Sequence, residues 1–435
     1  MARMQVVRQN ASSLESVPVP YTGPDRLTEL PDALRLKILT SLRAKEVAQT
    51  CVLSKQWRNL WASVPCLDFD SKEFFSQFSE KSHQRFIKFV TSFLLSIDEA
   101  TNLDTFHLCC TGWNPFFSGA GGNYFSDGTG ISYAACMWIT LAVKHKIKKL
   151  RLDLSDYNWL RVPNSLFVSA SLEELFLRLF ANNSVEVKPE LVFLPKLKSL
   201  HLCFIDISGD HMKNIINGCP VLESLSVDSC EIAAIDVPSN NLKRLSMSDA
   251  YTVYLDIPRM FPRLEYLDLD GVTIDRISFN KMPKVTEASI MCDIEKKNLK
   301  CDVLASFVNV EVLEFRCYYL MNVLEKAVQN SPRFDKLRRL TLGYYGMICA
   351  SGFLSSLLEH TPKLETLTLL DGGFCRAVNE DHGQNSREKI EWSHCKCLKK
   401  VEILAAASIR VPQLKELVKP STMGLNKVSI IVSIR

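Results

Sequence analysis

The C-terminal two thirds of the chain repeat one short pattern: an apolar residue, two variable residues, an apolar residue, one variable residue and a third apolar residue. Clear copies read IKKLRL, LEELFL, LKSLHL, LEYLDL and LRRLTL, and a weaker copy, LNKVSI, comes last. Successive copies begin 20 to 34 residues apart. A unit of this length that recurs many times is typical of a solenoid, whose stacked units share one interior. The copies begin at Ile147, Leu172, Leu197, Leu222, Leu242, Leu264, Val285, Val310, Leu337, Leu364, Leu398 and Leu425.

The alternation within each copy predicts a strand with one buried face. Neighbouring side chains of a strand point to opposite faces, so Leu200 and Leu202 share one face and His201 lies on the other. The pattern resembles the leucine-rich repeat, in which each unit adds a strand to a parallel sheet and returns through a helix or 3₁₀ turn. A series of amphipathic helices is the alternative, because this spacing partly matches a helical stripe. Pro, Asn and Gly between the copies, in place of helix caps, favour strands.

The composition suits a folded protein without a nucleic-acid or membrane partner. Hydrophobic residues make up 47% and charged residues 23% of the 435 positions, and the net charge is only +4. Such a balance favours neither nucleic acid nor an anionic membrane. The N-terminal sequence lacks the apolar core of a secretory signal, and the densest apolar run, 133–143, is too short to cross a bilayer. The 15 cysteines therefore indicate core residues in a reducing compartment, the nucleus or the cytoplasm.

A different unit precedes the repeats. Residues 1–24 are polar and are predicted to be a flexible leader. Pro31 suits the first position of a helix, Ser54 suits a helix cap, and Pro65 ends the unit. Three apolar stripes at helical spacing predict three short helices over residues 25–65. The stripes are Leu34, Ile38, Leu39 and Leu42, then Val47, Ala48, Cys51 and Val52, then Trp57, Leu60 and Trp61.

Two stretches of this unit, LPDALRLKIL and TCVLSKQWRNLW, resemble the F-box, the second in its plant version. F-box proteins dock these helices on a Skp-type adaptor and so join a cullin-RING ubiquitin ligase, and the resemblance implies the same partner here. A unit this small must also bury part of its apolar set in its own core, so the candidates are adaptor contacts or their supports. They are Leu30, Pro31, Leu34 and Ile38, expected to be the most exposed, with Leu39, Val47, Cys51, Leu53, Trp57, Leu60 and Trp61.

Arg43 departs from the F-box pattern, which often has Pro at this position. We expect the change to alter the turn between two helices more than the binding face.

Residues 66–146 are predicted to be a helical linker with a first strand and an insertion. Phe86, Phe89, Val90, Phe93 and Leu94 form the inward stripe of one helix, and a second helix is expected over 133–145. Leu103, Phe106 and Leu108 fit a first strand. The insertion, 109–130, is rich in Gly and aromatic residues and is expected to be a surface loop. A nucleotide-binding loop is the alternative suggested by Gly119, Gly121 and Gly122, but Tyr124 stands where a third glycine is needed. A third reading is that the insertion's aromatic residues help to hold a ligand.

The end of the chain is less regular. Residues 371–396 are predicted to be a polar loop, and they account for the longest gap between copies. The stretch CKCLKKVEIL resembles the start of the domain called FBD, found at the C-terminus of related plant proteins. Residues 397–435 are therefore predicted to be terminal repeats with a weakly FBD-like, capping role.

No motif in the chain indicates catalysis, a metal or a cofactor. C-x-x-C is absent, so the cluster of His394, Cys395 and Cys397 lacks the paired ligand spacing of a structural zinc site. G-x-S-x-G and the Walker phosphate loop are absent too. The sequence predicts neither an enzyme nor a bound metal.

Recognition by the sheet remains the better-supported chemistry. Stacked strands place the variable residues of each copy in two columns on one face, expected to be concave. Any one of these residues is more often a solvated strand position than a contact. An acidic centre of Asp228, Asp268 and Asp270 suits a basic segment of a target protein. The other candidate contacts are Arg151, Phe176, Arg178, His201 and Arg316.

These features predict an α/β fold, with a three-helix F-box over 25–65 and a leucine-rich-repeat solenoid over 147–370 and beyond. The leading hypothesis is a substrate-recognition subunit of an SCF-type ubiquitin ligase, with a Skp-type adaptor on the F-box and a target protein on the repeats. The alternatives are a recognition scaffold that works outside a ligase, and a receptor in which a small molecule joins the target to the repeats.

Overall fold

The computed structural model describes residues 26–74, 80–110, 129–154, 162–179, 185–186, 189–232, 235–252, 255–272, 277–279, 282–292, 304–317, 328, 333–344, 351–371, 394–405 and 429–434. The predicted leader, residues 111–128 of the insertion, residues 372–393 of the polar loop and residues 406–428 lie outside these ranges. Statements below on those features remain predictions.

Within the described residues, fourteen parallel strands form one sheet, and the strands follow each other in chain order. The predicted α/β repeat architecture is confirmed, because every clear copy of the pattern supplies one strand. The strands are β1 Cys66–Asp70, β2 Thr105–Cys109, β3 Lys149–Asp153, β4 Glu174–Arg178, β5 Ser199–Cys203, β6 Ser224–Asp228, β7 Arg244–Ser248, β8 Tyr266–Asp270, β9 Glu287–Cys292, β10 Val312–Cys317, β11 Arg339–Tyr344, β12 Thr366–Asp371, β13 Lys400–Ala405 and β14 Ser429–Ile434.

The sheet is in register at the buried leucines. Leu200 lies opposite Leu225 on the next strand, Leu225 opposite Leu245, and Leu245 opposite Leu267. The first apolar residue of each copy is also buried, as Leu197 shows at the entry to β5. One continuous hydrophobic cluster runs from Leu39 near the N-terminus to Ile403 in β13. Each unit therefore buries its leucines against its neighbours rather than in a core of its own.

The sheet begins earlier and ends later than the pattern predicts. Leu67 and Phe69 of β1 are buried, and β1 pairs with β2, which holds the predicted first strand. Val64 is buried and corresponds to the first apolar residue of the pattern, so VPCLDF is an additional copy. The sequence prediction missed this copy because it ends the preceding helical unit at Pro65. At the other end, β14 places Ile430 opposite Val401, two residues later than the LNKVSI alignment. The shift by two keeps the same residues on the same face, because strand side chains alternate with a period of two.

Helices and 3₁₀ turns return the chain between strands. The helices are α1 Asp32–Leu39, α2 Ala44–Gln49, α3 Glu80–Leu95, α4 Thr129–Lys144, α5 Gly209–Gly218, α6 Ile257–Met260 and α7 Ser351–Glu359. The 3₁₀ turns are Thr50–Val52, Leu60–Ser63, Ser71–Phe74, Asn164–Val168 and Leu304–Phe307. In α3, Phe86, Val90, Phe93 and Leu94 are buried and Phe89 is partly buried, which confirms the predicted inward stripe.

The N-terminal helical unit, 26–65, contains two α-helices rather than the predicted three. Pro31 lies one residue before α1, at its cap, and the chain after Ser54 forms turns followed by the 3₁₀ turn Leu60–Ser63. Tertiary contacts form at this point. Trp57 is buried, and the Trp61 ring packs edge to face on Phe93 of α3, outside the unit. The helical spacing of Trp57, Leu60 and Trp61 takes no account of such a long-range contact.

Four consecutive strands end in the left-handed backbone region. Phe204, Ser229, Asp249 and Gly271 follow β5 to β8 with φ between 45° and 62°. This conformation turns the chain out of the sheet, and after the first three of these strands it leads into a small parallel sheet. That sheet contains Val185–Glu186, Ile205–Ile207, Glu231–Ile232 and Tyr251–Thr252. Leu255–Asp256 and Ile277–Ser278 form a further parallel pair.

Candidate functional site

The N-terminal unit carries a patch of exposed apolar side chains. Leu34 and Ile38 are one helical turn apart on α1 and are 48% and 38% exposed; Val52 and Leu53 follow α2 and are 84% and 57% exposed. We refer to these four residues as the N-terminal patch. Pro31 is also exposed and Leu30 is half-buried. An exposed apolar cluster of this kind is typical of a protein-binding surface.

The other predicted adaptor residues lie inward. Leu39, Val47 and Trp57 are buried, so they support the patch from below and cannot contact a partner directly. Leu60 and Trp61 are partly buried against the common core, and Cys51 is half-buried. Val52 is 84% exposed, although the sequence prediction placed it in the second apolar stripe and did not include it among the adaptor candidates. Its position after the end of α2, in a 3₁₀ turn, breaks the helical spacing and turns it to the surface.

Salt bridges attach the N-terminal unit to the first repeat. Arg43 Nη1 lies 3.0 Å from Glu73 Oε1 and 3.4 Å from Asp70 Oδ2, and these carboxylates raise the pKa of Arg43. Lys45 Nζ donates to the Glu73 carbonyl at 2.6 Å. Arg43 also precedes α2, where its backbone N–H donates to Glu46 Oε2 at 3.0 Å. The residue that replaces the usual Pro therefore both begins a helix and contacts the sheet.

The sheet presents an open face, which consists of the side chains at the first, third and fifth positions of each main strand. The third positions contain four predicted contacts, Arg151, Phe176, His201 and Asp268, and the fifth positions contain the other four, Arg178, Asp228, Asp270 and Arg316. The two predicted columns are therefore present in the strand register. Sequence reasoning missed the first positions, although the same alternation identifies them. They include Lys149, Glu174, Arg244 and Tyr266.

Arginine and aromatic side chains stack across three neighbouring strands. The Arg151 guanidinium carbon lies 3.7 Å from the centroid of the Phe176 ring, and His201 stacks on the other side of that ring with centroids 4.5 Å apart. Arg178 lies 5.7 Å from the same centroid. We refer to Arg151, Phe176, His201 and Arg178 as the arginine–phenylalanine row. Cation–π contacts of this kind hold an exposed guanidinium in one orientation.

Beside this row, a cysteine, a histidine and an aspartate come together. His201 Nε2 lies 2.9 Å from Cys203 Sγ, which lies 3.7 Å from Asp228 Oδ2. Burial raises the pKa of the Cys203 thiol to about 11, and burial also lowers the pKa of His201. The thiol has no exposed surface. A buried thiol that stays protonated at neutral pH is a poor nucleophile, so this group lacks the activation of a catalytic cysteine.

The acidic centre of Asp228, Asp268 and Asp270 lies on β6 and β8 of the open face. Asp268 Oδ2 accepts a hydrogen bond from Ser246 Oγ at 3.1 Å. Burial raises the pKa of Asp270, and Arg316 opposes that rise while the neighbouring carboxylates of Asp249, Asp268 and Glu314 add to it. Like charges held close together disfavour ionisation. The region therefore keeps a concentrated negative potential that a positively charged partner would relieve.

The described residues contain neither a metal-binding cluster nor a membrane-spanning helix. They contain no group of three or more His, Cys, Asp or Glu side chains arranged to hold a metal ion. None of the described helices combines the length and the apolar character needed to span a bilayer. The glycines considered for a nucleotide loop and the aromatic residues of the insertion, 111–128, lie outside the described residues.

Known protein families match both the N-terminal unit and the repeats of this chain. A family model described as "At1g61320/AtMIF1, LRR domain" matches residues 127–417, and an F-box domain model matches residues 27–69. The F-box/FBD/LRR-repeat protein At3g52680 of Arabidopsis thaliana is 30% identical over 368 residues, which cover 80% of this chain and 72% of that protein. F-box/LRR-repeat protein 13 of the same plant is 28% identical over 388 residues, covering 83% of this chain and 79% of that protein. This chain belongs to the family of F-box proteins with leucine-rich repeats.

Proposed function

We propose that this chain is the substrate-recognition subunit of an SCF-type ubiquitin ligase. The N-terminal patch binds a Skp-type adaptor, the adaptor connects the chain to a cullin-RING ligase, and the open face of the sheet binds a target protein. The chain acts in the nucleus or the cytoplasm and performs no covalent chemistry of its own. The Cys203 thiol, buried and protonated, supports that last point.

The exposure of the N-terminal patch is the observation that carries this proposal. Five large apolar side chains of the unit are exposed, the four of the N-terminal patch and Leu27, while most of its other apolar side chains are buried or partly buried. Leu34 and Ile38 project from one side of α1, while Leu39 on the same helix is buried. Interfaces typically concentrate their binding energy in a few such side chains. The acidic centre supports the second half of the proposal, because it complements a basic segment of a target.

Adaptor binding tests the first half. A Skp-type adaptor of Arabidopsis thaliana is titrated with the full chain and with the Leu34→Asp/Ile38→Asp double variant, with affinity measured by calorimetry. The double variant is expected to bind roughly 1,000-fold more weakly, since two interface anchors each contribute about 2 kcal/mol. Leu191→Asp is the control, because Leu191 is a leucine in the repeats that is more exposed than Leu34 or Ile38. Wild-type affinity in the double variant would contradict the assignment of the patch.

Reconstitution separates a ligase subunit from a scaffold that works elsewhere. The full chain is combined with the adaptor, a cullin, a RING subunit, a ubiquitin-activating and a ubiquitin-conjugating enzyme, and ubiquitin. Ubiquitin attached to the chain itself, and lost in the double variant, is the expected result. Adaptor binding without any ubiquitin transfer would favour the scaffold. A small molecule retained by the purified full chain in native mass spectrometry would favour the ligand-dependent receptor.

A further inference from the structure

The arginine–phenylalanine row contains a cation that the described protein leaves uncompensated. Arg151 is exposed, and within the described residues no carboxylate lies within ion-pair distance of it. Its neighbour Lys149 pairs with Glu174 at 2.7 Å, so that charge is already matched. The guanidinium of Arg151 is nevertheless held in place, 3.7 Å from the Phe176 centroid. An ordered cation with a free hydrogen-bonding edge is ready to bind an anion, because little side-chain entropy remains to be lost.

Arg178 is the second incompletely paired cation of the row. Its Nη1 reaches Asp153 Oδ2 only at 3.5 Å, a long contact for a charge-assisted hydrogen bond. Asp153 is only 8% exposed, yet its Oδ1 has no hydrogen-bond partner among the described residues, and neither does the buried Arg178 Nε. Buried charged groups normally satisfy such atoms. The Asp153–Arg178 salt bridge thus leaves one atom of each side chain without a hydrogen bond. A binding partner with a suitably placed acceptor could bond to Arg178.

The charges of the surrounding side chains indicate the charge of the anion. Lys149 pairs with Glu174, and Arg178 lies near both Asp153 and Asp228. Arg151 is thus the cation of this group that has no carboxylate partner among the described residues. A single carboxylate neutralises that charge, whereas a phosphate dianion overcompensates it.

We infer that the arginine–phenylalanine row binds an aspartate or glutamate side chain of an extended segment of the target protein. The inference rests on the proposed function, since it names the chemistry of the target that the open face recognises. Arg151 binds the carboxylate through its guanidinium edge, and Phe176 and His201 hold that edge in position. The acidic centre repels the same carboxylate and thereby restricts it to the row.

The spacing of the two regions adds a length requirement. Strand β3, which carries Arg151, and strand β8, which carries Asp268 and Asp270, are five strand intervals apart in the sheet. At about 4.8 Å per interval, they are separated by roughly 24 Å along the sheet. An extended chain advances about 3.3 Å per residue, so roughly seven residues separate the acidic residue of the segment from a basic residue that meets Asp268 and Asp270.

Selection from a random library of 12-residue displayed peptides on the full-length chain tests the inference. Peptides enriched by the wild-type chain are expected to carry Asp or Glu, with Lys or Arg about seven residues away. The Arg151→Gln variant is expected to lose the acidic preference and keep the basic one. Arg339→Gln is the matched control, because it removes the same charge from the open face at β11. Equal acidic enrichment on Arg151→Gln, or none on the wild-type chain, would overturn the inference.

A double-mutant cycle with one enriched synthetic peptide measures the contact itself. Replacing its acidic residue by Gln and replacing Arg151 by Gln are each expected to weaken binding roughly tenfold, and together little more than either alone. Fully additive losses would mean that the two groups do not meet. A phosphoserine at the acidic position that binds more than tenfold tighter would show a phosphopeptide site and overturn the carboxylate assignment. Adaptor affinity, measured on the same preparations, reports separately on the proposed ligase role.

Discussion

The Trp61 ring meets the Phe93 ring edge to face, with centroids 4.9 Å apart, and this contact joins the N-terminal unit to α3 of the repeats. The backbone continues the connection, because the Asp98 N–H donates to the Ala62 carbonyl at 3.2 Å and the Asp104 N–H donates to the Pro65 carbonyl at 2.8 Å. The F-box of this chain is therefore packed on the repeats rather than tethered to them by a linker.

Trp61→Ala is expected to destabilise this junction by about 3 kcal/mol, the lower end of the range for removing a large aromatic side chain from a core, because Trp61 is only partly buried. The loss of stability should be confined to the part of the chain around the junction. Hydrogen exchange is expected to quicken in the N-terminal unit and in β1, and to stay unchanged in β6 to β8. Phe93→Leu, which keeps an apolar side chain at the contact, should have a smaller effect. Uniform acceleration across all repeats would show that the junction is not a separate unit of stability.

The buried leucines of the sheet give a second prediction. Leu267 is fully buried and Leu200 nearly so, and each replacement by Ala should lower the free energy of unfolding by about 2–5 kcal/mol. Denaturant unfolding followed by circular dichroism measures the loss. Ser226→Ala, on the open face, is the control and should change stability by about 0.5 kcal/mol or less. A similarly small effect at Leu267 would contradict the assignment of its side chain to the interior.

Gly271 tests the turn after β8. Its φ is +62°, and a Cβ built there would lie 2.2 Å from Asp249 Oδ1. Gly271→Ala is expected to destabilise the chain by about 1–2 kcal/mol from the backbone conformation alone, with a further contribution from the contact. Thermal unfolding provides the measurement. Asp249→Gly should raise stability more in the Gly271→Ala background than in the wild-type chain, because only in that background does it also remove the side chain that the new methyl group meets. An equal gain in both backgrounds would leave backbone conformation as the whole cause of the loss.

Asp270 makes stability depend on pH. Burial and the neighbouring acidic groups raise the pKa of Asp270 in the folded chain, although Arg316 opposes the rise. The folded state therefore binds this proton more tightly than the unfolded state, and the resulting stabilisation is present at low pH and lost as the pH rises through the folded pKa. Asp270→Asn should accordingly stabilise the chain at pH 7, and the gain should shrink near pH 4. Unfolding midpoints at both pH values check this, with the exposed Asp236→Asn as control. A gain that did not change with pH would exclude ionisation as its cause.

The sequence predicted the repeats well because one local rule governs them. Alternation determines which residues of LKSLHL are buried, and the shared position within each copy predicts the register that aligns Arg151, Phe176 and His201. The weaker predictions concern places where contacts with distant residues decide the structure. The predicted third helix of the F-box is replaced by turns where Trp57 is buried and Trp61 packs on Phe93, and no local spacing reveals that long-range contact.

The binding surfaces also depend in part on contacts with distant residues, which the sequence pattern does not predict. Leu34 and Ile38 were identified by resemblance to the F-box, and their exposure follows from the helix. Arg43 pairs with Glu73, which lies 30 residues further along the chain. Asp153 pairs with Arg178, which lies 25 residues further along. The pattern places these residues on strands and turns, but it does not predict which charges are paired.

Because the F-box is packed directly on β1, the number of strands sets the distance between the F-box and each part of the open face. The acidic centre at β8 lies seven strand intervals from β1, or roughly 34 Å along the sheet. Under the proposed function, gain or loss of one repeat between them would move a bound target by about 5 Å relative to the ubiquitin-transfer machinery. Relatives that differ by a single repeat would then present different lysines of the same protein to that machinery, with every contact residue left unchanged.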